Sequence, residues 1–273
     1  MVDDSWSNGI NPNVANPARI YDYLLGGKDN FPADREIAEQ VIAVAPTARD
    51  VTRQNRAFLR RAVRFLAGEA GVRQFLDIGS GLPTQGNVHE IAQAIAPDTC
   101  VVYVDNDPIV VTHGRALLAG DNTAVIKADL REPDAIVGHP KVREVIDFDR
   151  PIAVLLVSVL HFVKDEHDPE GIVARFRDAV PAGSYLAISH GTKDIPRRPD
   201  MSAEEMAEMA AKTERLYEQA AVPIVNRTGA EVRRLFDGWD LVDPGLVSIQ
   251  LWKPDDASSA LPGGFYGGVG RKG

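Results

Sequence analysis

Glycine and acidic residues stand at the ends of successive apolar runs, where parallel strands would present ligand-binding groups. Gly79 and Gly81 follow the run that ends at Ile78, and glycine allows a tight turn and a close approach to a ligand. Asp105 lies 24 residues after Gly81, near the interval at which a carboxylate accepts the hydroxyls of a ribose. Asp129 lies another 24 residues on, where a carboxylate can accept the amino group of an adenine. The order and even spacing of these residues predict a site for an adenosine-type cofactor.

The loop after the two glycines argues against a diphosphate in this site. A dinucleotide fingerprint would place a further glycine where Thr84 stands, and Pro83 removes one backbone donor. A diphosphate binds the free N–H groups of a helix that begins directly after the glycines, whereas the next predicted helix begins only near Asn87. A Walker lysine pattern is also absent from the sequence. The sequence therefore favours a cofactor without phosphate groups.

Alternating strands and helices after residue 71 must position these residues. Candidate strands lie at 74–78, 100–104, 123–127, 152–157, 185–189, 241–242 and 246–252, and candidate helices at 87–95, 108–119, 170–180, 201–221 and 229–236. This alternation predicts an α/β fold with a mostly parallel sheet that is covered on both faces. The turn at 243–245 is too short for a parallel crossover, so the last two strands are predicted to form an antiparallel hairpin.

Two regions flank the predicted sheet. Residues 1–18 show no periodicity and are expected to form an arm, and the segments that follow have helical periodicity. Residues 1–70 together are predicted to form an N-terminal helical cap or lid, and residues 71–253 form the predicted core. Residues 254–273 form a glycine-rich C-terminal tail, for which disorder is the expectation from Ala257 onward. Met206 and Met209, in the candidate helix 201–221, either line a substrate pocket or pack against the body of the domain.

The composition limits the partners. Among 273 residues, 30 Lys and Arg stand against 39 Asp and Glu, and the net charge of −9 gives no global attraction to a phosphate backbone. The longest apolar run, at 152–159, is too short to span a bilayer, and the acidic N-terminus leads into no signal peptide. The single cysteine, Cys100, excludes an internal disulfide and a cysteine zinc cluster. These features predict a cytoplasmic protein that binds no nucleic acid, membrane or metal, and they leave the oligomeric state open.

The motifs resemble those of a known enzyme family. LDIGSG at 76–81, YVD at 103–105 and ADL at 128–130 resemble the motif series of class I S-adenosyl-L-methionine-dependent methyltransferases. ARIYDYLLGGKDN at 18–30 resembles, more closely, one bacterial family of such enzymes. The resemblance implies a Rossmann-like sheet of seven strands with a terminal antiparallel hairpin. It also implies S-adenosyl-L-methionine as cofactor, S-adenosyl-L-homocysteine as product and a small-molecule acceptor, which the family does not identify.

The resemblance also assigns cofactor-binding residues. Gly79, Ser80 and Gly81 would border the methionine part, and Asp105 would hold the ribose hydroxyls. The adenine would contact Asp129 and Leu130. Together with residues that could contact the methionine carboxylate or floor the site, the predicted set is Arg19, Tyr21, Lys28, Arg56, Asp77, Gly79, Ser80, Gly81, Asp105, Asn106, Asp129, Leu130, Val157 and Ser158.

Two residues are candidates for catalysis. His161 follows the fourth strand and can titrate near neutrality, so it is the predicted general base, although a structural histidine is an equal alternative. Tyr21 could line the path of methyl transfer. It belongs to the polar segment from Arg19 to Asn30, which is predicted to be a lid over the cofactor rather than a solvated turn between helices.

Two functions other than methyl transfer fit the same motifs. A protein that binds S-adenosyl-L-methionine or S-adenosyl-L-homocysteine without catalysis would carry the same pocket residues. An NAD-dependent dehydrogenase would share the glycines and the acid after the second strand, but it is disfavoured by the delayed helix after Gly81.

Overall fold

Eight strands form a single mixed sheet in the computed structural model, which describes residues 11–83, 86–118, 120, 122–194, 201–219, 223–256 and 263–273. The sheet order is β3-β2-β1-β4-β5-β8-β6, and β7 also pairs with β8. β1 to β5 are mutually parallel, and β8 runs antiparallel to β5, β6 and β7. The strands are β1 (Gln74–Ile78), β2 (Cys100–Asp105), β3 (Thr123–Lys127), β4 (Ala153–Val157), β5 (Tyr185–Gly191), β6 (Asp240–Leu241), β7 (Val247–Ser248) and β8 (Phe265–Arg271).

The described helices cover both faces of the sheet and build a further layer at its carboxyl edge. They are α1 (Pro17–Leu25), α2 (Pro32–Val44), α3 (Ala48–Arg64), α4 (Val88–Ile95), α5 (Pro108–Leu117), α6 (Pro133–Val137), α7 (Pro140–Val145), α8 (Pro169–Ala179), α9 (Ala203–Gln219) and α10 (Gly229–Arg234). The predicted α/β class and the five parallel strands are confirmed. The short helices α6 and α7 were not predicted. Among the described residues, no helix is both long and apolar enough to cross a bilayer.

Alternation along the buried strands builds two core layers. Leu76 and Ile78 of β1 face the layer that contains α6, α7, α8 and α10, whereas Phe75 faces the layer of α3, α4 and α5. All of β1 is buried, because helices cover both of its faces. In the second layer α3 packs against the sheet. Its Phe58 lies edge to face with Trp252 at a centroid distance of 5.5 Å.

The order of the strands gathers their carboxyl ends. β1 lies between β2 and β4, so the chain leaves β1 toward one side of the sheet and returns later to the other. Asp77 stands opposite Tyr103, and Asp105 opposite Lys127. Loops that diverge from such a switch point leave a crevice between them, which is where open α/β sheets bind ligands.

The predictions for the C-terminal part need two corrections. β6 and β7 do not form a hairpin with each other; each pairs with β8, and residues 249–251 form a short 3₁₀ turn where a strand was expected. The expected disorder is wrong for Phe265–Arg271, which is an eighth strand beside β5. Residues 257–262 of the predicted tail lie outside the described residues.

The glycines of β8 have a packing reason. A Cβ on Gly267 would lie 2.8 Å from Ile249 and 2.9 Å from Phe58, and a Cβ on Gly270 would lie 2.7 Å from Trp239. Aromatic and branched side chains therefore close on the backbone of this strand, and only glycine leaves them room. The same glycines that suggested a flexible tail are needed for close packing.

The N-terminal segment is helical, as predicted, and forms a small core of its own. Ile20, Leu24 and Val41 of α1 and α2 are buried together, and Leu216 and Tyr217 of α9 pack against them. These three helices therefore stand over the carboxyl edge of the sheet. The division of the chain at residues 70 and 253 stays a prediction.

Candidate functional site

A cavity of about 1360 Å³ opens between the carboxyl ends of the strands and the helices above them. The walls come from the loops after β1, β2, β3 and β4, from α1, α2, α3 and α9, and from the start of β8. The volume exceeds the 300–1,000 Å³ that is usual for a small-molecule pocket. The cavity can therefore hold a cofactor and a second small molecule at the same time.

The glycine loop after β1 has the geometry that its sequence predicts. Gly79 and Gly81 have φ angles of 71° and 67°, in the left-handed region that favours glycine. A Cβ on Gly79 would lie 2.3 Å from the Val159 side chain, so the loop after β4 approaches this backbone closely. The amide of Gly79 donates to the Val104 carbonyl at 2.8 Å, and Gly81 donates to Oδ2 of Asp105 at 2.9 Å. Asp105 thus orients the loop as well as facing the cavity.

Two buried carboxyl groups line the same end of the cavity. Asp105 also accepts the amide of Asp107 at 2.9 Å, and burial raises the pKa of Asp105 to about 6. Burial raises the pKa of Asp77 to about 7, with the Arg56 charge opposing this rise and the Asp105 charge adding to it. Arg56 lies on the cavity wall and donates to the Gly86 carbonyl at 3.2 Å. This end of the cavity therefore combines two carboxyl groups and a guanidinium.

The remaining residues predicted at the strand ends also line the cavity. Asp129 is held by its neighbour Arg131, whose Nε and amide each donate to Oδ1 at 3.0 and 2.9 Å, and these hydrogen bonds lower the pKa of Asp129. Ser158 has a φ of 59°, and its amide donates to the Ser189 carbonyl at 3.1 Å. Ser80, Asn106, Leu130 and Val157 contribute to the same wall.

The N-terminal motif contributes only part of what its composition suggested. Tyr21 lines the cavity, but Arg19 and Lys28 do not. Arg19 is buried in an ion pair with Asp34, with Nε 2.8 Å from Oδ2, and Lys28 is exposed to solvent. Asp34 supplies the counter-charge that a buried cation such as Arg19 needs, and contact of Arg19 or Lys28 with the cofactor stays a prediction.

The glycines of this motif serve a local turn. Gly26 ends α1 with a φ of 86°. The Asp22 carboxylate then accepts the amide of Asp29 at 3.0 Å and the side-chain amide of Asn30 at 2.8 Å. A Cβ on Gly27 would lie 1.9 Å from Oδ1 of Asp22, which excludes any larger residue there. Within the motif, the Asp22 carboxylate therefore organises the turn after α1, whereas Arg19 and Tyr21 bond to residues outside it.

His161 lies in a buried wall of the cavity. Its Nδ1 is buried and has no hydrogen-bond partner among the described residues. Burial lowers the pKa of His161 well below its ordinary value, and the nearby His190 and Arg227 lower it further. Arg227 donates to Nε2 of His190 at 2.9 Å and pairs with Asp165 at 2.6 Å. His161 is therefore a neutral imidazole at neutral pH, with a ring nitrogen that no described residue contacts by a hydrogen bond.

Several cavity residues carried no signal in the sequence. Asn55 of α3 donates to the Tyr21 hydroxyl at 2.8 Å and accepts from the Ser189 hydroxyl at 2.6 Å, so it ties α1 to β5. Phe162, Tyr217 and Phe265 bring aromatic rings to the wall from three separate segments. Phe162 directly follows His161, so among these three rings it alone lies close to a predicted strand end.

The donor set fits S-adenosyl-L-methionine better than a dinucleotide. Carboxylates can accept hydrogen bonds from ribose hydroxyls and from an ammonium group, and a guanidinium can bind a carboxylate. A diphosphate would instead lie against two carboxyl groups, and α4 begins at Val88, seven residues after Gly81. Among the described residues, no group of three or more His, Cys, Asp or Glu side chains is placed to hold a metal ion.

Known proteins are similar to this chain in sequence and in fold. The sequence profile of a family described as S-adenosyl methyltransferase matches residues 3–273. A DUF574 family protein from Streptomyces avermitilis is 43% identical with a TM-score of 0.88, over 95% of this chain and 98% of that one. A proposed methyltransferase from Thermobifida fusca is 44% identical with a TM-score of 0.86, over 96% of each chain.

A more distant structure supports the fold alone. A SAM-dependent methyltransferase from Anabaena variabilis is 14% identical with a TM-score of 0.52, over 78% of this chain and 84% of that one. No significant match was found among curated proteins. The predicted class I methyltransferase fold is confirmed, with eight strands in place of seven.

Proposed function

The chain belongs to the S-adenosyl methyltransferase family, and we propose that it transfers a methyl group from S-adenosyl-L-methionine to a small-molecule acceptor. The observation that carries this proposal is the cavity of about 1360 Å³, which has carboxyl groups at the strand ends and aromatic residues under the helices. Such a cavity has room for both reactants.

The cofactor is proposed to lie along the carboxyl edge of the sheet. Asp105 would accept the ribose hydroxyls with the lone pairs that Gly81 and Asp107 leave free. Asp77 and Arg56 would bind the ammonium and the carboxylate of the methionine part, since neighbouring groups of opposite charge match a zwitterion. The adenine would lie against Leu130, with Asp129 at its edge.

The rest of the proposed cofactor site consists of backbone and small side chains. Gly79 and Ser80 would border the methionine part, and Val157 and Ser158 would form the floor. Asn106 would lie beside the adenosine.

Bound S-adenosyl-L-methionine supplies a methyl group on a sulfonium that is reactive without further activation. The protein then has to hold the acceptor in line with that methyl group, and such positioning can contribute about 7–11 kcal/mol of the barrier. His161 is proposed to accept the proton of the acceptor, because its imidazole is neutral and Nδ1 has no partner among the described residues. Tyr21 is proposed to line the transfer path, held there by Asn55.

The segment from Arg19 to Asn30 is proposed to act as a lid. α1 lies over the cavity through Tyr21, and the turn after it is organised by the Asp22 carboxylate rather than by the sheet. A cofactor that fills the cavity would add contacts to α1 and so reduce the opening of this segment.

The experiment that tests the function measures turnover. We expect S-adenosyl-L-homocysteine to accumulate when the protein and S-adenosyl-L-methionine are incubated with a cell extract from which large molecules have been removed. Little product should form in buffer alone or with heat-inactivated protein. Tight binding of S-adenosyl-L-methionine without turnover in any extract would favour the non-catalytic binding protein.

Calorimetry separates the third alternative. We expect the protein to bind S-adenosyl-L-homocysteine and to show no response to NAD, because a diphosphate would be repelled by Asp77 and Asp105. Tight NAD binding without a response to S-adenosyl-L-homocysteine would replace the methyltransferase proposal with a dehydrogenase.

A further inference from the structure

Four rings contact one another and form one continuous aromatic wall of the cavity. The Phe162 ring lies 4.3 Å from His161 and 6.5 Å from Tyr217, measured between centroids. The Phe265 ring lies 5.5 Å from His161 and meets it edge to face. All four residues line the cavity, and they come from the turn after β4, from α9 and from the start of β8. We call this group of four residues the aromatic end.

The titratable groups at the aromatic end are held in their uncharged forms. Burial, together with the neighbouring Tyr21, raises the pKa of Tyr217 to about 12. Burial likewise raises the pKa of Tyr21 and lowers that of His161. The cation behind His161, Arg227, is paired with Asp165 at 2.6 Å. At neutral pH this wall therefore offers hydroxyl and imidazole groups but no net charge of its own.

Apart from Lys164, the charged groups of the cavity wall lie on other segments than these four rings, and they include Asp22 on α1 and Asp50, Arg53 and Arg56 on α3. Asp77, Asp105 and Asp129 follow the strands, and Lys164 is half exposed with Nζ 3.9 Å from Glu166. A charged acceptor at the aromatic end would lose its hydration without gaining a counter-ion there, which is costly. A neutral aromatic acceptor would lose little hydration and could pack against rings in offset or edge-to-face geometry.

We infer that the aromatic end is the acceptor subsite and that the acceptor is a neutral aromatic molecule with a protic group, such as a phenol. This inference rests on the proposed function and adds the substrate class to it. The ring of the acceptor packs between Phe162, Tyr217 and Phe265. Its protic group hydrogen-bonds to the polar atoms of His161 and the tyrosine hydroxyls, on the side of the cavity nearest the glycine loop.

Calorimetry with three size-matched probes tests the inference. The protein is saturated with S-adenosyl-L-homocysteine and titrated with 2-naphthol, 2-naphthoate and decahydro-2-naphthol at pH 7.5. We expect 2-naphthol to bind at least tenfold more tightly than the charged naphthoate and about fivefold more tightly than the saturated alcohol. Equal binding of the three probes, preference for naphthoate, or no binding of 2-naphthol by the saturated protein would overturn the inference.

Variants locate the subsite. Phe162→Leu and Tyr217→Leu should each weaken 2-naphthol binding about fivefold while S-adenosyl-L-homocysteine affinity stays within twofold. The matched controls are Phe148→Leu and Tyr23→Leu, since neither residue lines the cavity, and both should leave 2-naphthol binding unchanged. Loss of 2-naphthol affinity in the controls and not in the cavity variants would contradict the assignment.

The two proposals fail in different ways. A protein that does not bind S-adenosyl-L-homocysteine at all contradicts the proposed function before any probe is added. A protein that binds S-adenosyl-L-homocysteine but discriminates against 2-naphthol keeps the methyltransferase function and loses only the aromatic acceptor. Unchanged S-adenosyl-L-homocysteine affinity in the variants also shows that they are folded.

Discussion

The two ends of the cavity respond to the same burial in different ways. At the strand end, Asp77 and Asp105 have raised pKa values, but the Arg56 charge favours the ionised form of Asp77. At the aromatic end, His161 and Tyr217 are pushed toward their neutral forms, and the nearby charge of Arg227 moves His161 further in that direction. Only the carboxyl groups of the strand end can therefore lose their protons when a charged ligand binds. Desolvation is common to both ends, and the neighbouring charges decide which reactant each end suits.

The largest expected effect concerns the transfer of a proton from the acceptor to His161 at the aromatic end. Once an acceptor is identified, His161→Ala should lower kcat by about 10²–10⁴-fold, because no other neutral imidazole of the described residues lines this wall. Steady-state kinetics with that acceptor measures the change. His139→Ala, at the exposed start of α7, is the matched control and should leave kcat unaltered. Unchanged turnover in His161→Ala would remove the base assignment and leave His161 as a packing residue.

The next largest effect is expected when a carboxyl group of the strand end is removed. Asp105→Ala should weaken S-adenosyl-L-homocysteine binding by on the order of tenfold to a hundredfold, because it removes a charge-assisted hydrogen bond to the ribose and leaves two loop amides without their acceptor. Calorimetry measures the affinity. Asp178→Ala removes an exposed carboxylate of α8 that pairs with Arg177, and it should have no effect. A change of less than threefold in Asp105→Ala would place the ribose elsewhere.

The strand end was predictable from the sequence because its groups follow the strands directly. Gly79, Gly81, Asp105 and Asp129 lie within three residues of the strand ends, so the fold class alone brings them together. The aromatic end was not predictable beyond His161 and its neighbour Phe162. Its other rings come from segments that meet only through the order of the strands. Phe265 begins a strand that was not predicted, because its glycines indicated a flexible tail.

The structure differs from two expectations drawn from local sequence patterns, and both differences have the same physical origin. Arg19 was expected at the cofactor because a cation near two glycines fits an anion site, but its partner is Asp34, one helix later. The glycines of β8 were interpreted as flexible because their spacing alone does not show the side chains of Phe58 and Trp239 that close on them. Local patterns report what a residue can do, and tertiary partners decide which option is used.

A smaller effect is a pH dependence confined to the strand end. The pKa of Asp77 in the free protein is about 7, whereas binding of an ammonium group requires its ionised form. The affinity for S-adenosyl-L-homocysteine should therefore fall about tenfold between pH 8 and pH 6. Calorimetry at several pH values measures this, and Asp77→Asn should bind more weakly with a nearly flat profile. An unchanged slope in Asp77→Asn would assign the titration to another group.

The stability of the free protein should move in the opposite direction. Because the pKa of Asp77 is raised above its unfolded value, its contribution favours folding at low pH and is lost as the pH rises through about 7. His190, with a pKa lowered to about 4, has the reverse sign. The difference in unfolding free energy between the protein and Asp77→Asn cancels the histidine contributions. This difference should change by about 2 kcal/mol in favour of the unaltered protein from pH 7 to pH 5.

The smallest expected effect tests whether α1 joins the two ends as a lid. Tyr21 lines the cavity while Lys28, in the turn after α1, is exposed, so cleavage near this turn reports on the opening of the segment. Saturating S-adenosyl-L-homocysteine should slow cleavage between Tyr21 and Lys28 about threefold, because ligand contacts must break before the segment opens. Cleavage at the exposed Lys141 of α7 serves as the internal control and should keep its rate. Equal rates in both states, together with unchanged affinity after deletion of residues 1–30, would make the segment a fixed scaffold that only positions Tyr21.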